Sequence, residues 1–299
     1  MNVEREARLA HRRGLVFLVA VVLAWGLTWP VNKVILESLS PLWAVALRTV
    51  IGCLASFAIA FAAGRLILPP RADLPVLLGI ALLHMVGFGI LGIVGLGLIP
   101  TGHAAVLAYT TPLWVTPGAS LFLGERLTAR KTAGVIVGLA GLVVLFNPTA
   151  LDWSRREAVL GSLAMLGAAF LWAASIVQIR GHRWRSTPFA LVPWETLVAS
   201  VVLVPVAWAF SGPPPTEWDA RLAALILYAA IPGTALAYGA TAVASRDLPA
   251  VTTSLGLLAT PVVSMLIAAI WLGEPLTLSL VVAMLLILGG VAIGATGDR

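Results

Sequence analysis

Ten apolar runs, each long enough to cross a bilayer and nearly free of charge, account for most of this 299-residue chain. They read as 15–36, 43–64, 74–96, 102–123, 130–147, 158–180, 189–210, 221–244, 250–272 and 277–296. A helix rises ~1.5 Å per residue, so about 20 apolar residues traverse the ~30 Å hydrocarbon core. Inside that core each backbone N–H and C=O must find its partner within the segment, which leaves runs of this kind no option but helix. The expected fold class is an all-α integral membrane protein with ten transmembrane helices. Composition agrees, with 60% of residues hydrophobic and 11% charged, against ~25% charged in soluble domains. This excludes an ordinary soluble enzyme, a disordered chain and a disulfide scaffold. The single cysteine, Cys53, lies within an apolar run and forms no internal bridge. The longest connections are 148–157 and 211–220, too short for an extramembrane domain.

Arg12 and Arg13 before the first run imitate a secretory signal. That run is too long for a signal-peptide core and continues into Trp29-Pro30 without a small-residue cleavage site, so it counts as the first span, preceded by a cytoplasmic tail 1–14. Lys and Arg set the orientation. Fourteen of the 19 fall on the side of the N-terminus, three (Arg155, Arg156 and Arg221) on the other, and Lys33 and Arg48 lie inside runs. Both termini are therefore expected in the cytoplasm of a bacterial-type inner membrane. The net charge of +6 follows this topology, and no nucleic-acid partner is expected.

The two halves repeat. Ile99-Pro100 matches Leu248-Pro249, Pro112 matches Pro261, Gly124-Glu125 matches Gly273-Glu274 and Leu127-Thr128 matches Leu276-Thr277, all displaced by 149 residues. In the first runs Trp25 matches Trp172 and Pro41 matches Pro188, displaced by 147. Shared hydrophobic composition would match leucines and alanines, but not Pro, Trp and Gly-Glu at one offset. The expected units are 1–147 and 158–299, five helices each. An odd number forces the second to enter the membrane from the opposite side. Such inverted-topology repeats build carriers that open alternately to the two sides, with the substrate near the midplane.

The opening Ala24-Trp25-Gly26-Leu27-Thr28-Trp29-Pro30, Pro41 followed by Arg48, and the pair Leu123-Gly124-Glu125 and Leu272-Gly273-Glu274 resemble the EamA family of the drug/metabolite transporter superfamily. The resemblance spans residues 15–296 and is similar to that of aromatic and broad-range amino-acid exporters. It implies export of small metabolites, amino acids foremost. The second unit departs from the first, with Glu195 where Arg48 stands and Ala173 where Gly26 stands.

Charge inside a membrane is costly and marks function. Arg48 lies in the second span and Glu195 in the seventh. Inversion places one toward the outer side and the other toward the inner side, which argues against a direct ion pair. Arg48 is a candidate to bind a substrate carboxylate or close an outer gate, and Glu195 a candidate for proton coupling. His84, mid-span, is a second proton or hydrogen-bond site. Trp25 and Trp172 lie deep in their spans, whereas Trp184 and most other tryptophans fall near span ends as interface anchors. Tyr109, Tyr228, Tyr238, Asn32 and Gln178 complete the candidate cavity wall. Pro112 and Pro261 are expected to bend the fourth and ninth spans for gating. Gly134-x3-Gly138 and Gly290-x3-Gly294 are close-packing signatures in the fifth and tenth spans, read as scaffold and a surface for a homodimer.

No metal-ligand spacing, nucleophile–base pair or nucleotide-binding fingerprint occurs, so neither cofactor nor metal is expected, and not an enzyme. The sequence thus reads as a secondary exporter of small metabolites, foremost aromatic and other neutral amino acids. Alternatives are a drug, nucleoside or sugar-conjugate carrier of the same fold and, lower, an integral membrane enzyme acting on a lipid-linked substrate. A channel lacks the expected ring of charges.

Overall fold

The computed structural model describes residues 2–146, 154–214, 216, 218–248 and 250–295. Among these no strand occurs, and the described part of each of the ten apolar runs is mainly helical. The helices are α1 (Asn2–Ile35), α2 (Pro41–Ala62), α3 (Leu74–Gly79), α4 (Gly89–Leu98), α5 (Thr101–Ala108), α6 (Thr111–Leu123), α7 (Ala129–Leu145), α8 (Arg156–Gly181), α9 (Pro188–Ser211), α10 (Ala220–Ala230), α11 (Ala237–Asp247), α12 (Ala250–Leu257), α13 (Ala259–Trp271) and α14 (Leu278–Ala295). Six segments have the length and apolarity to cross a membrane: Arg8–Ile35, Pro41–Ala62, Arg71–Leu98, Arg156–Gly181, Ala190–Ser211 and Leu278–Ala295. Ala220–Leu236 and Leu255–Trp271 are shorter apolar helices. Large apolar side chains such as Phe61, Phe122, Phe210 and Ile270 remain exposed, as a lipid-facing surface requires and a soluble monomer avoids. The protein is a multi-pass membrane protein.

Helix α1 begins at Asn2, so residues 2–14 of the expected tail continue the helix of the first apolar run. The physical reason is local. Residues 2–13 contain neither Gly nor Pro and are rich in Ala, Leu, Glu and Arg, which favour helix.

Two runs carry a π-helical segment: Ile80–Phe88 joins α3 to α4, and Ile231–Leu236 joins α10 to α11. Two others break. The fourth run parts at Tyr109–Thr110 and the ninth at Leu258. The expectation of bends at Pro112 and Pro261 is corrected here. Each break precedes its proline, which sits in the first turn of α6 or α13. Amides there lack an intrahelical partner in any case, so proline removes nothing.

Gly124 and Gly273 end α6 and α13 with φ of 69° and 67°. In both turns the following amide bonds back to an equivalent carbonyl, Glu125 N to Ala119 O and Glu274 N to Ala268 O, each at 3.3 Å. Left-handed backbone costs other residues about 1–2 kcal/mol. Gly273→Ala is therefore expected to lower the melting temperature of the purified protein by about 2–4 °C or more. Gly289→Ala, in a helix and facing open space, should leave it unchanged.

Packing is pairwise: α2 lies on α9, α7 on α14, α1 on α11 and α13, and α8 on α4 and α6. The glycines of α7 and α14 explain the closeness of their pair. A methyl group on Gly134 would run into the backbone of Gly290 and Gly294, and one on Gly141 into Ala283 and Ile287. The glycine surfaces expected to serve a homodimer thus meet each other within one chain.

Candidate functional site

Where α1, α2 and α9 face the π-helical segments, they leave a cavity of about 390 Å³. A second cleft of about 410 Å³ lies among α6, α7, α8 and α14. Trp25, Tyr109 and Trp172 line both, forming an aromatic partition between them.

The partition is built on Trp172. Its indole stacks on the His84 ring at 5.2 Å and 9°, meets Phe88 at 5.3 Å and 59°, and takes the Tyr109 ring edge-on at 6.2 Å and 86°. Offset and edge-on contacts of this kind are worth about 0.5–1.5 kcal/mol each beyond burial. His84 and Phe88 lie in the π-helical segment, whose wider turn changes the direction of both side chains relative to a continuous α-helix. At the other π segment Thr234 Oγ1 donates to Ala229 O at 2.8 Å, holding a carbonyl five residues back.

Arg48 and Glu195 both line the first cavity. They line it from α2 and α9, which pack together, and among the described residues no ion pair joins the two. Glu195 is 4% exposed and has no hydrogen-bond partner among the described residues. A carboxyl group so placed calls for a cation or a proton. Asn32, His84 and several threonines, among them Thr28, Thr49 and Thr196, add polar atoms to a wall that is otherwise aromatic and aliphatic.

Three expected wall or gate residues are placed elsewhere. Gln178 donates from Nε2 to Pro75 O at 2.9 Å and packs on Gly79, tying α8 to α3. Tyr228 donates its hydroxyl to Ala24 O at 3.0 Å, tying α10 to α1. Pro261 is buried in α13 and lines neither cavity, whereas Pro112 lines the second. The Tyr238 side chain lies outside the described residues.

Trp184, expected as an interface anchor, lines the first cavity. Asp73, fully buried, is the cause. Its carboxylate accepts from Arg185 N at 3.0 Å, Ser186 N at 2.9 Å and Ser186 Oγ at 2.7 Å, and lies 2.9 Å from His182 Nε2. These contacts fold the 182–187 connection back over the cavity. The His182 and Trp184 rings then meet edge-on at 5.2 Å. Among the described residues no group of three His, Cys, Asp or Glu side chains is placed to hold a metal.

The EamA-like transporter family matches this chain twice, over residues 12–147 and 159–295. An uncharacterized transporter of Bacillus subtilis, YoaV, is 26% identical over 276 residues, covering 92% of this chain and 94% of its own. A probable amino-acid metabolite efflux pump of Escherichia coli is 27% identical over 300 residues, covering 96% of each. A probable terminal-alkyne amino-acid exporter of Streptantibioticus cattleyicolor is 27% identical, covering 86% of this chain and 84% of its own. A solved crystal structure with 24% identity superposes with a TM-score of 0.67 over 94% of this chain and 95% of that one, and shares the fold.

Proposed function

The chain belongs to the EamA-like transporter family, and from that premise we propose that this membrane exporter carries neutral amino acids, aromatic ones foremost, out across the inner membrane by alternating access. The observation that carries the reading is the placement of Arg48 and Glu195 on one cavity whose remaining wall is mainly aromatic and apolar. A zwitterion presents one carboxylate and one ammonium, and a single fixed cation and a single fixed anion match that charge pattern. The apolar side chain of the solute then rests on the aromatic wall around Trp172, where burial of apolar area supplies attraction. The names of the amino-acid exporting relatives support the same class.

In this reading the ten helical runs are ten spans and the two units are inverted, with both termini cytoplasmic. Support comes from the excess of Lys and Arg on one side and from the equivalent breaks, π segments and Gly-Glu turns of the two halves. Export draws on the solute gradient or on protons, with Glu195 and His84 as the groups that would exchange a proton with the cavity. The chain acts as a transporter and not as an enzyme.

Cells expressing the chain are the direct test. They should tolerate a severalfold higher concentration of a toxic aromatic amino-acid analogue and hold a smaller internal pool of it than cells carrying the empty vector. Arg48→Gln and Glu195→Gln should each remove that protection while the protein remains in the membrane. Protection that survives both substitutions would sink the zwitterion site. Protection against cationic dyes or nucleosides alone would move the fold to a different cargo.

A further inference from the structure

The two Gly-Glu turns share a backbone, yet their glutamates do different work. The Glu274 carboxylate accepts from Thr101 N at 2.7 Å and Gly102 N at 3.0 Å, holding the first amides of α5. Beside it, Lys33 donates from Nζ to Leu96 O at 2.6 Å and Ile99 O at 2.8 Å. The α4–α5 connection is thus gripped by an anion on its amides and a cation on its carbonyls, the polarity that helix ends prefer.

Both gripping groups have counterparts. Glu125 is displaced from Glu274 by the same 149 residues as the turns themselves, and Arg180 from Lys33 by the 147 that relates Trp25 to Trp172. The matching target is the α11–α12 connection, since Thr101 corresponds to Ala250. Here the counterparts bind each other instead. Glu125 pairs with Arg180 at 2.8 Å and with Lys131 at 3.6 Å, and all three border the second cleft. One connection is clamped, and the groups that would clamp its equivalent are withdrawn from it.

We propose that Glu274 with Lys33 and Glu125 with Arg180 are two alternating clamps that govern which side of the membrane the cavity faces. The proposal rests on the alternating-access reading above but not on the identity of the cargo. In the present state the outer clamp is closed and the inner clamp open. In the opposite state Glu125 holds the first amides of α12 at Ala250 and Val251, and Arg180 takes the carbonyls at the end of α11. Lys33 then falls back on Glu274. Each acid and cation is paired with protein or with the other in both states, so no charge is stranded in the membrane during the exchange.

Sided cysteine labelling tests this without a substrate. The parent is full-length Cys53→Ala carrying Asn32→Cys in the first cavity, reconstituted in one orientation and exposed on either face to a small membrane-impermeant methanethiosulfonate. Glu274→Gln weakens the state closed on the outside, so labelling from the outer face should rise on the order of tenfold. Glu125→Gln weakens the state closed on the inside, so the same labelling should fall by a similar factor. Lys33→Gln and Arg180→Gln should reproduce the two signs and serve if either glutamate variant fails to fold. Changes of the same sign, or none, in a parent labelled from both faces would overturn the clamps and leave alternating access standing. Labelling confined to one face in every variant would overturn both.

Discussion

Trp172→Ala is expected to lower transport by about 30-fold or more while the protein stays folded. The indole holds His84, Phe88 and Tyr109 in place and separates the two cavities with Trp25 and Tyr109. Three ring contacts at roughly 0.5–1.5 kcal/mol each correspond to about 1.5–4.5 kcal/mol, centred on ~3 kcal/mol, and every 1.4 kcal/mol is tenfold in the population of a competent cavity. Removing the ring also opens the partition between the two clefts and takes away the stacking surface of the first cavity. Trp172→Phe keeps a ring and should retain flux to within about tenfold. Trp208→Ala is the control, because that side chain is 56% exposed and lines neither cavity. The check is flux normalised to monodisperse protein on gel filtration. Wild-type flux in Trp172→Ala would remove the partition from the transport path.

The second large effect is on folding. Gly290→Leu should eliminate monodisperse protein, because a Cβ on Gly290 already meets the backbone of Gly134 and Gly138. Backbone cannot rotate out of the way as a side chain can, and a longer residue forces α7 and α14 apart along their full contact. Overpacking a core costs about 1–3 kcal/mol or more, and helix association in lipid depends on such contacts because hydrophobic burial does not drive it. Gly289→Leu adds the same side chain one residue away, where no atom lies within 4 Å, and is expected to fold. Equal yields of the two variants would contradict the role assigned to this pair.

Much of this fold is legible in the chain because a bilayer imposes one period and one length. Each apolar run corresponds to helix, and matched Pro, Trp and Gly-Glu positions announce two related units. What the run pattern does not convey is how helices are interrupted. A π segment at Ile80–Phe88 has no proline to mark it, and a proline after a break looks in sequence like a proline inside a helix. Depth marks Trp25, His84 and Trp172, the repeat relates the two tryptophans, and the structure brings all three to one cavity. Depth places Arg48 and Glu195 toward opposite ends of their helices, and the run pattern does not show that both line one cavity. Trp184 lay in a connection and looked like an anchor, because the buried Asp73 that turns it inward is remote in sequence. The Lys33–Arg180 correspondence stayed hidden for a simpler reason: the residue types differ, and only identical pairs stand out at a fixed displacement.

The measurement that bears most directly on the central claim is flux through the purified chain in proteoliposomes. The panel is labelled neutral and aromatic amino acids, with sugars, nucleosides and a cationic dye alongside, with and without an imposed proton gradient. Saturable amino-acid flux is predicted, with cross-competition among neutral amino acids, no need for nucleotide, and loss in Trp172→Ala. Silence toward every amino acid, with movement of dye or nucleoside, would keep the fold and contradict the cargo. Silence across the whole panel would contradict transport of these solutes and return weight to chemistry on a lipid-linked substrate.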